Sequence, residues 1–381
     1  LFWDIESKLE VRSQKSEVRS QKNNHSWAKL QTSDKMTLEQ RISGRARELG
    51  FELCGISRAE RPARAEFFKD WLVQGMAGNM TYLNRSAERR VTPELVLPGV
   101  KSVISVGQSY FTGFLPEEIR KDPSRGIIAS YAWGDDYHEL MGHALEELAE
   151  FVQSLSADVK TKAYVDTGPV LERETAERAG LGFIGKNTML IHPKLGSNLF
   201  LGEILTTLEL APSSPPKSKP SCGSCTRCLD VCPTHALPEA HVMDARLCIS
   251  YLTIEFRGAI PLELRPKMGN HIFGCDDCQT CCPWVQRFST PTRQRAYENV
   301  IERKAPKLAD LAKLSEAEFL EMFKGSPVLR PKYEGFLRNV AVAIGNWKSV
   351  EARGALEPLL KHESAIVREH AEWAWGTWRG K

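Results

Sequence analysis

Nine of the chain's ten cysteines fall between Cys222 and Cys282. Four of them read Cys222-x2-Cys225-x2-Cys228-x3-Cys232-Pro233; a second group reads Cys275-x2-Cys278-x3-Cys282-Pro283, with Cys248 alone between them. Three thiolates at this spacing wrap one cubane iron–sulfur cluster, and the fourth, turned away by proline, reaches a second cluster. On that logic one 4Fe–4S cluster takes Cys222, Cys225, Cys228 and Cys282, and the other takes Cys232, Cys248, Cys275 and Cys278. Cys281 is then spare, because Cys282 precedes proline as Cys232 does. Structural zinc uses two separated cysteine pairs, a pattern this block does not follow. Clustered cysteines in a long chain also argue against a secreted disulfide scaffold. The chemistry is one-electron transfer in a reducing, cytoplasmic compartment.

Other residue patterns are less specific. Gly180-Leu-Gly182-Phe-Ile-Gly185-Lys186 satisfies a dinucleotide fingerprint and nearly a phosphate loop. It closes a helix and enters a strand, the reverse of what a dinucleotide site needs, and Asn187 stands where a phosphate loop needs Ser or Thr. Lys186 and Asn187 then read as turn residues. Asp136-x-His138 with Gly142 resembles a corrinoid-binding DxHxxG motif with one residue too many, so His138 reads as a plain histidine at a helix start. Cys54 sits in an apolar strand as a core thiol. Asp166 ends a strand containing Ala163 and Val165 and precedes Thr-Gly-Pro. It suits either a helix N-cap or an acid facing a pocket. Arg90, taken alone, reads as a surface charge.

Helices and strands must position these groups. Leu38, Ile42, Ala46 and Leu49 recur at helical spacing; Phe51–Ile56 and Ser102–Val106 read as strands; His138–Leu155 is a long amphipathic helix. A strand over Lys162–Val165, a helix near Pro169–Ala179, a strand over Thr188–Ile191 and an apolar stretch over Leu199–Leu208 follow, the alternation of an α/β domain. A proline-rich linker, residues 211–220, precedes the cysteine block. From about residue 300 three apolar patterns, Tyr333–Trp347, Ala352–Lys361 and Ile366–Trp378, suggest HEAT-like helical pairs that must lean on their neighbour. Residues 1–35 carry a tandem heptad, Glu10–Lys15 recurring as Glu17–Lys22, with no apolar face. They read as a disordered upstream extension with the working start near Met36. The division expected is 1–35, 36–210, 211–290 and 291–381. At 381 residues, 42% hydrophobic and 26% charged, no run of about 18 apolar residues offers a membrane span. Residues 290–381 hold sixteen basic and twelve acidic groups, so a polyanion is expected to prefer the C-terminal part, with Arg293, Arg295, Arg330, Lys332 and Arg338 as candidates.

Several motifs together point to a family. Arg90-Val-Thr-Pro93, Trp133-Gly-x-Asp136-Tyr-His138, Val165-Asp166-Thr-Gly-Pro169, Glu177-Arg-x-Gly180-x-Gly182-Phe, Gly185-Lys-Asn187 and Gly196-Ser197 resemble the cobalamin-dependent epoxyqueuosine reductases. The cysteine block, including Cys248 in Arg246-Leu-Cys-Ile-Ser250, resembles that family's as well, over about residues 36–381. The resemblance implies a mixed multidomain fold: an N-terminal α/β cobalamin-binding catalytic domain, a ferredoxin-like domain with two 4Fe–4S clusters, and a HEAT-like tail. It implies base-off cobalamin without a histidine ligand and reduction of epoxyqueuosine to queuosine at the wobble position of transfer RNA. By motif position Asp166 becomes the proton donor, and Arg90, Asp166, Leu190, Ser250 and Asp276 become corrin contacts. Some members carry cysteine where this chain has Ala129, so no thiol chemistry is expected there. Implied partners are transfer RNA and an external low-potential electron donor, with no membrane, for a monomeric protein. A reductive dehalogenase shares the cofactor plan, but those enzymes resemble exported proteins with twin-arginine signals. A plain ferredoxin-type carrier leaves the long segment ahead of the clusters without a role.

Overall fold

The computed structural model describes residues 36–214 and 220–377; the expected extension over 1–35 and the middle of the linker lie outside them. A first unit ends at Arg41 and contributes the opening turn of the helix Leu38–Glu48; the second runs from Ile42 onward.

The second unit is built on a four-stranded sheet of β1 (Leu53–Arg58), β2 (Ser102–Ser109), β4 (Thr161–Val165) and β7 (Leu199–Thr206), in the order β1-β2-β7-β4. Every residue of β2 is buried, as a central strand covered on both faces requires. All three pairings are antiparallel. The sheet is therefore antiparallel, a detail of strand direction that the α/β alternation left open. Hydrophobic periodicity reports which residues are buried and carries no information on strand direction. The helices Tyr137–Gln153 and Glu172–Arg178 accompany this sheet, the first burying Met141, Leu145, Leu148 and Val152 at helical spacing.

Two short strand pairs lie between the sheet and the cysteine block. β5 (Phe183–Ile184) and β6 (Leu190–Ile191) form a small hairpin, the form taken by the segment that mimics a nucleotide loop. β3 (Ile127–Ile128) pairs in parallel with β8 (His271–Phe273), just ahead of Cys275. Gly274 follows at φ +70°, and a Cβ there would lie 2.5 Å from the Ala129 Cβ, so only glycine lets the chain turn here.

The C-terminal helices Lys332–Asn346, Val350–Leu360 and Ala365–Gly376 match the three apolar patterns. They share one core with the preceding segments: Ile128, Trp133, Ile272 and Phe273 pack with Phe319, Phe336, Val340, Leu356 and Val367. Arg338, expected to face RNA, is fully buried in this seam. Its guanidinium donates to the carbonyls of Leu252, Phe256 and Gly258 at 2.6–2.8 Å and to Asn339 Oδ1. It is a structural rivet and cannot meet a phosphate. Arg293, Arg295 and Lys332 are exposed, while Arg330 pairs with Glu255 at 3.1 Å. Among the described residues no helix is long and apolar enough to cross a membrane.

Candidate functional site

The ten cysteines are all free, and the fold sorts eight of them into two groups. Cys222, Cys225, Cys228 and Cys282 line one cavity of about 380 Å³. Cys232, Cys248, Cys275 and Cys278 line another of about 300 Å³. Cys281 lines neither; its Sγ leans toward the Cys278 carbonyl at 3.7 Å. Two sets of four thiols, each around its own space, are the donor chemistry of cubane clusters.

Lys186 and Asn187 hold the two groups together, a role that a turn reading overlooks. The Lys186 N–H points at Cys222 Sγ at 3.4 Å, and its ammonium donates to the carbonyls of Gly223 and Cys225 at 2.9 and 3.0 Å. Asn187 is buried, lines both cavities and donates to the Cys278 carbonyl at 3.0 Å. Beside the second group, His271 Nε2 lies 3.3 Å from Asp277 Oδ2 and 3.9 Å from Cys275 Sγ.

The second cavity extends past its cysteines to the end of the sheet, where β2 and β4 finish and β7 begins. Tyr110, Tyr131, Tyr137, Leu199 and Phe200 wall it, and Ser250 and Asp276 supply polar groups. The rings are packed in order: Tyr137 stacks on Phe200 at 4.1 Å and 7°, and Phe200 meets Tyr110 at 4.5 Å. An apolar, aromatic wall with few polar groups beside a redox centre suits a large flat organic cofactor. Asp276 accepts from the Ser130 N–H at 2.5 Å; burial pushes its carboxyl up and that bond draws it partly back.

Leu190 and Arg90 do not join this wall. The Leu190 side chain is buried against Ala176, Ala179 and Leu181, so any contact it makes with a ligand is through its main chain. Arg90 is held by Ser86 Oγ and the Val170 carbonyl, near enough to feel the charge of Asp166.

Asp166 stands at the end of β4 with φ +58°, a left-handed conformation that aspartate tolerates better than most residues. Its Oδ2 accepts from the Tyr137 hydroxyl at 3.1 Å and lies 3.3 Å from His138 Nε2. His138 Nδ1 in turn lies 2.7 Å from Asp136 Oδ1, while Asp136 caps the long helix by accepting from the His138 N–H at 2.9 Å. A chain Asp136–His138–Asp166 results. His138 is indeed at a helix start, but it also bridges two carboxylates across 28 residues of sequence. The D-Y-H run was the available signal; nothing local said that β4 would end against it.

Electrostatics follow from this chain. Burial opposes charge on His138, but its bonds to Asp136 and Asp166 and their charges outweigh that and lift its pKa from 6.5 to about 9. Asp166 keeps 59% of its side-chain surface exposed. Lost hydration still pushes its carboxyl up; the His138 hydrogen bond and charge and the Tyr137 hydroxyl reverse this, leaving it below its ordinary value. At neutral pH the proton of the pair therefore resides on His138. Two further carboxyls are held up by burial: Glu172, raised also by the charge of Asp166, to about 8, and Glu203, fully buried with neither oxygen bonded and raised also by the charges of Glu172 and Asp166.

Comparison with known proteins agrees with this architecture. Residues 90–167 match the family model "Epoxyqueuosine reductase QueG, DUF1730", and residues 221–285 match a 4Fe-4S double cluster binding domain. The chain is 43% identical over 347 residues to the epoxyqueuosine reductase of Pseudomonas aeruginosa, covering 91% of this chain and 96% of that one. The chain belongs to the epoxyqueuosine reductase family. The Escherichia coli K12 member is 39% identical over 338 residues, covering 88% of each chain. A crystal structure of an epoxyqueuosine reductase with an epoxyqueuosine-modified tRNA stem loop superposes with a TM-score of 0.80 at 33% identity, covering 90% of each chain. The Streptococcus thermophilus epoxyqueuosine reductase gives 0.79 at 30% identity over 91% of each.

Proposed function

We propose that this protein reduces epoxyqueuosine in transfer RNA to queuosine, using cobalamin and two 4Fe–4S clusters. The observation that carries the reading is the Asp136–His138–Asp166 chain at the lip of an aromatic cavity that continues into a four-thiol site. Cys222, Cys225, Cys228 and Cys282 would hold one cluster, and Cys232, Cys248, Cys275 and Cys278 the other. Ser250 and Asp276, with Arg90, Asp166 and the main chain of Leu190, would hold cobalamin. When bound, that cofactor supplies low-potential electrons to the substrate. Residues 36–210 are assigned to cobalamin and catalysis, 211–290 to the clusters and 291–381 to a HEAT-like tail.

Opening the epoxide and losing its oxygen consumes two electrons and two protons, and the departing oxygen is strongly basic until protonated. Asp166 is the group placed to hand it a proton. Because the pair's proton rests on His138, transfer runs from His138 Nε2 through Asp166 Oδ2 to the oxygen as its basicity rises. Asp136 holds the ring in orientation and stabilises its charge, and Tyr137 fixes the carboxylate rotamer. The test is anaerobic incubation of reconstituted protein with epoxyqueuosine-containing transfer RNA, cobalamin and a low-potential reductant, followed by nucleoside analysis. Queuosine is expected; its absence refutes the reading. Asp166→Asn keeps the shape but cannot relay the proton, and turnover is expected to fall at least about 10²-fold with transfer RNA affinity retained.

A further inference from the structure

The two four-thiol cavities differ in the residues that line them. The second is walled by buried residues such as Tyr110 and Gln279, and its lining residue Tyr137 connects it to Asp166. The first has an exposed rim: Arg227 and Arg287 are exposed, and Phe288 retains 44% of its surface. Phe288 packs on Trp284 at 5.4 Å, and Trp284 meets Phe183 at 5.7 Å, giving a rigid aromatic centre. Val231, on the helix Arg227–Val231, adds a further exposed apolar group at 42%. Among the described residues neither arginine is ion-paired with an acid. Arg227 reaches Gln286 Oε1 at 3.5 Å, and the nearby Asp230 is engaged by the Thr226 hydroxyl at 2.9 Å.

We propose that this rim, Arg227, Arg287, Trp284 and Phe288, is the docking surface for a small acidic one-electron carrier protein. The proposal rests on the cluster assignment above. An aromatic centre flanked by unpaired arginines is the composition of a binding hot spot. Its charge selects an acidic partner and steers encounter. Flat apolar rings at the centre favour a protein face with an exposed cofactor edge over a ribose-phosphate backbone. The step balances simply. One electron leaves the carrier's reduced cofactor and one enters the cluster held by Cys222, Cys225, Cys228 and Cys282, so two visits supply one epoxide reduction. Asn187 lines both cavities and so connects the two sites.

The test uses the reconstituted holoprotein and flavodoxin hydroquinone as the acidic carrier, mixed anaerobically while cluster absorbance is followed. Wild-type reduction should slow as salt rises. The Arg227→Glu/Arg287→Glu variant should be reduced about 10-fold or more slowly at low salt and lose that salt dependence. Photoreduction by uncharged deazariboflavin and affinity for a transfer RNA stem loop should not change. If charge reversal lowers iron content, Arg227→Gln/Arg287→Gln is the variant used, with a smaller loss of the same kind expected. A variant reduced by flavodoxin as fast as wild type overturns the proposal, and so does one that loses RNA affinity while keeping the carrier rate. Failure of the reductase reading shows separately, as absence of queuosine when wild type is driven by deazariboflavin.

Discussion

His138→Gln removes the one cation between two carboxylates while keeping a side chain of similar reach. The His138 pKa stands at about 9 against an ordinary 6.5. Taken at face value that gap is worth about 3.4 kcal/mol. The ring keeps 35% of its surface exposed, so solvent screening reduces the figure to about 1–2 kcal/mol. Because the folded value is raised, the stabilisation is fully present below pH 6.5 and is lost as pH rises through about 9. Urea unfolding of wild type and variant should therefore differ by about 1–2 kcal/mol at pH 6 and converge near pH 9.5. Turnover on epoxyqueuosine-containing transfer RNA gives a second, independent readout. Wild-type kcat should fall above about pH 9 as the relay proton is lost. The variant should lack that limb and run about 10²-fold slower at neutral pH. A variant that keeps the alkaline limb, or a stability difference that grows with pH, would refute the pairing of His138 with Asp166 as the proton store.

Four more outcomes follow from the same structure. Anaerobic reconstitution should give about eight irons per chain; Cys281→Ser should retain them, whereas Cys282→Ser should lose those of the first site, by iron analysis and electron paramagnetic resonance. Arg338→Met leaves three buried carbonyls without their donor and should destabilise the protein by roughly 3–5 kcal/mol, read as a lowered Tm. For the same reason deletion from residue 300 onward should yield insoluble protein, not a folded core with weakened RNA binding. Burial holds the Glu203 carboxyl well above its ordinary value, so stability should decline as pH rises above about 4.5, by up to about 1.4 kcal/mol per pH step. Glu203→Gln should flatten that slope, and an unchanged slope in urea titrations would show that the carboxyl is not held up by the fold.

The grouping of cysteines was legible in the sequence because a cubane binds three ligands from one short loop, so the geometry of the site is written as local spacing. The pairing of Cys282 with the distant first loop followed from the proline after it, and the cavities bring those four thiols around one space. Helix and strand positions were legible for a similar reason, since burial repeats with the local period. Strand direction was not, because antiparallel and parallel strands alternate their side chains alike, and only the packed sheet decided it. Asp166 could be picked out by type and position, but its proton state depends on His138, brought to it by the end of β4 meeting the start of a helix 28 residues earlier. Arg338 makes the same point from the opposite side. As a residue in a basic segment it looked like a phosphate ligand. Burial among the carbonyls of Leu252, Phe256 and Gly258, set by how the last helices dock, makes it part of the core, because a long-range contact leaves no trace in the spacing of its neighbours.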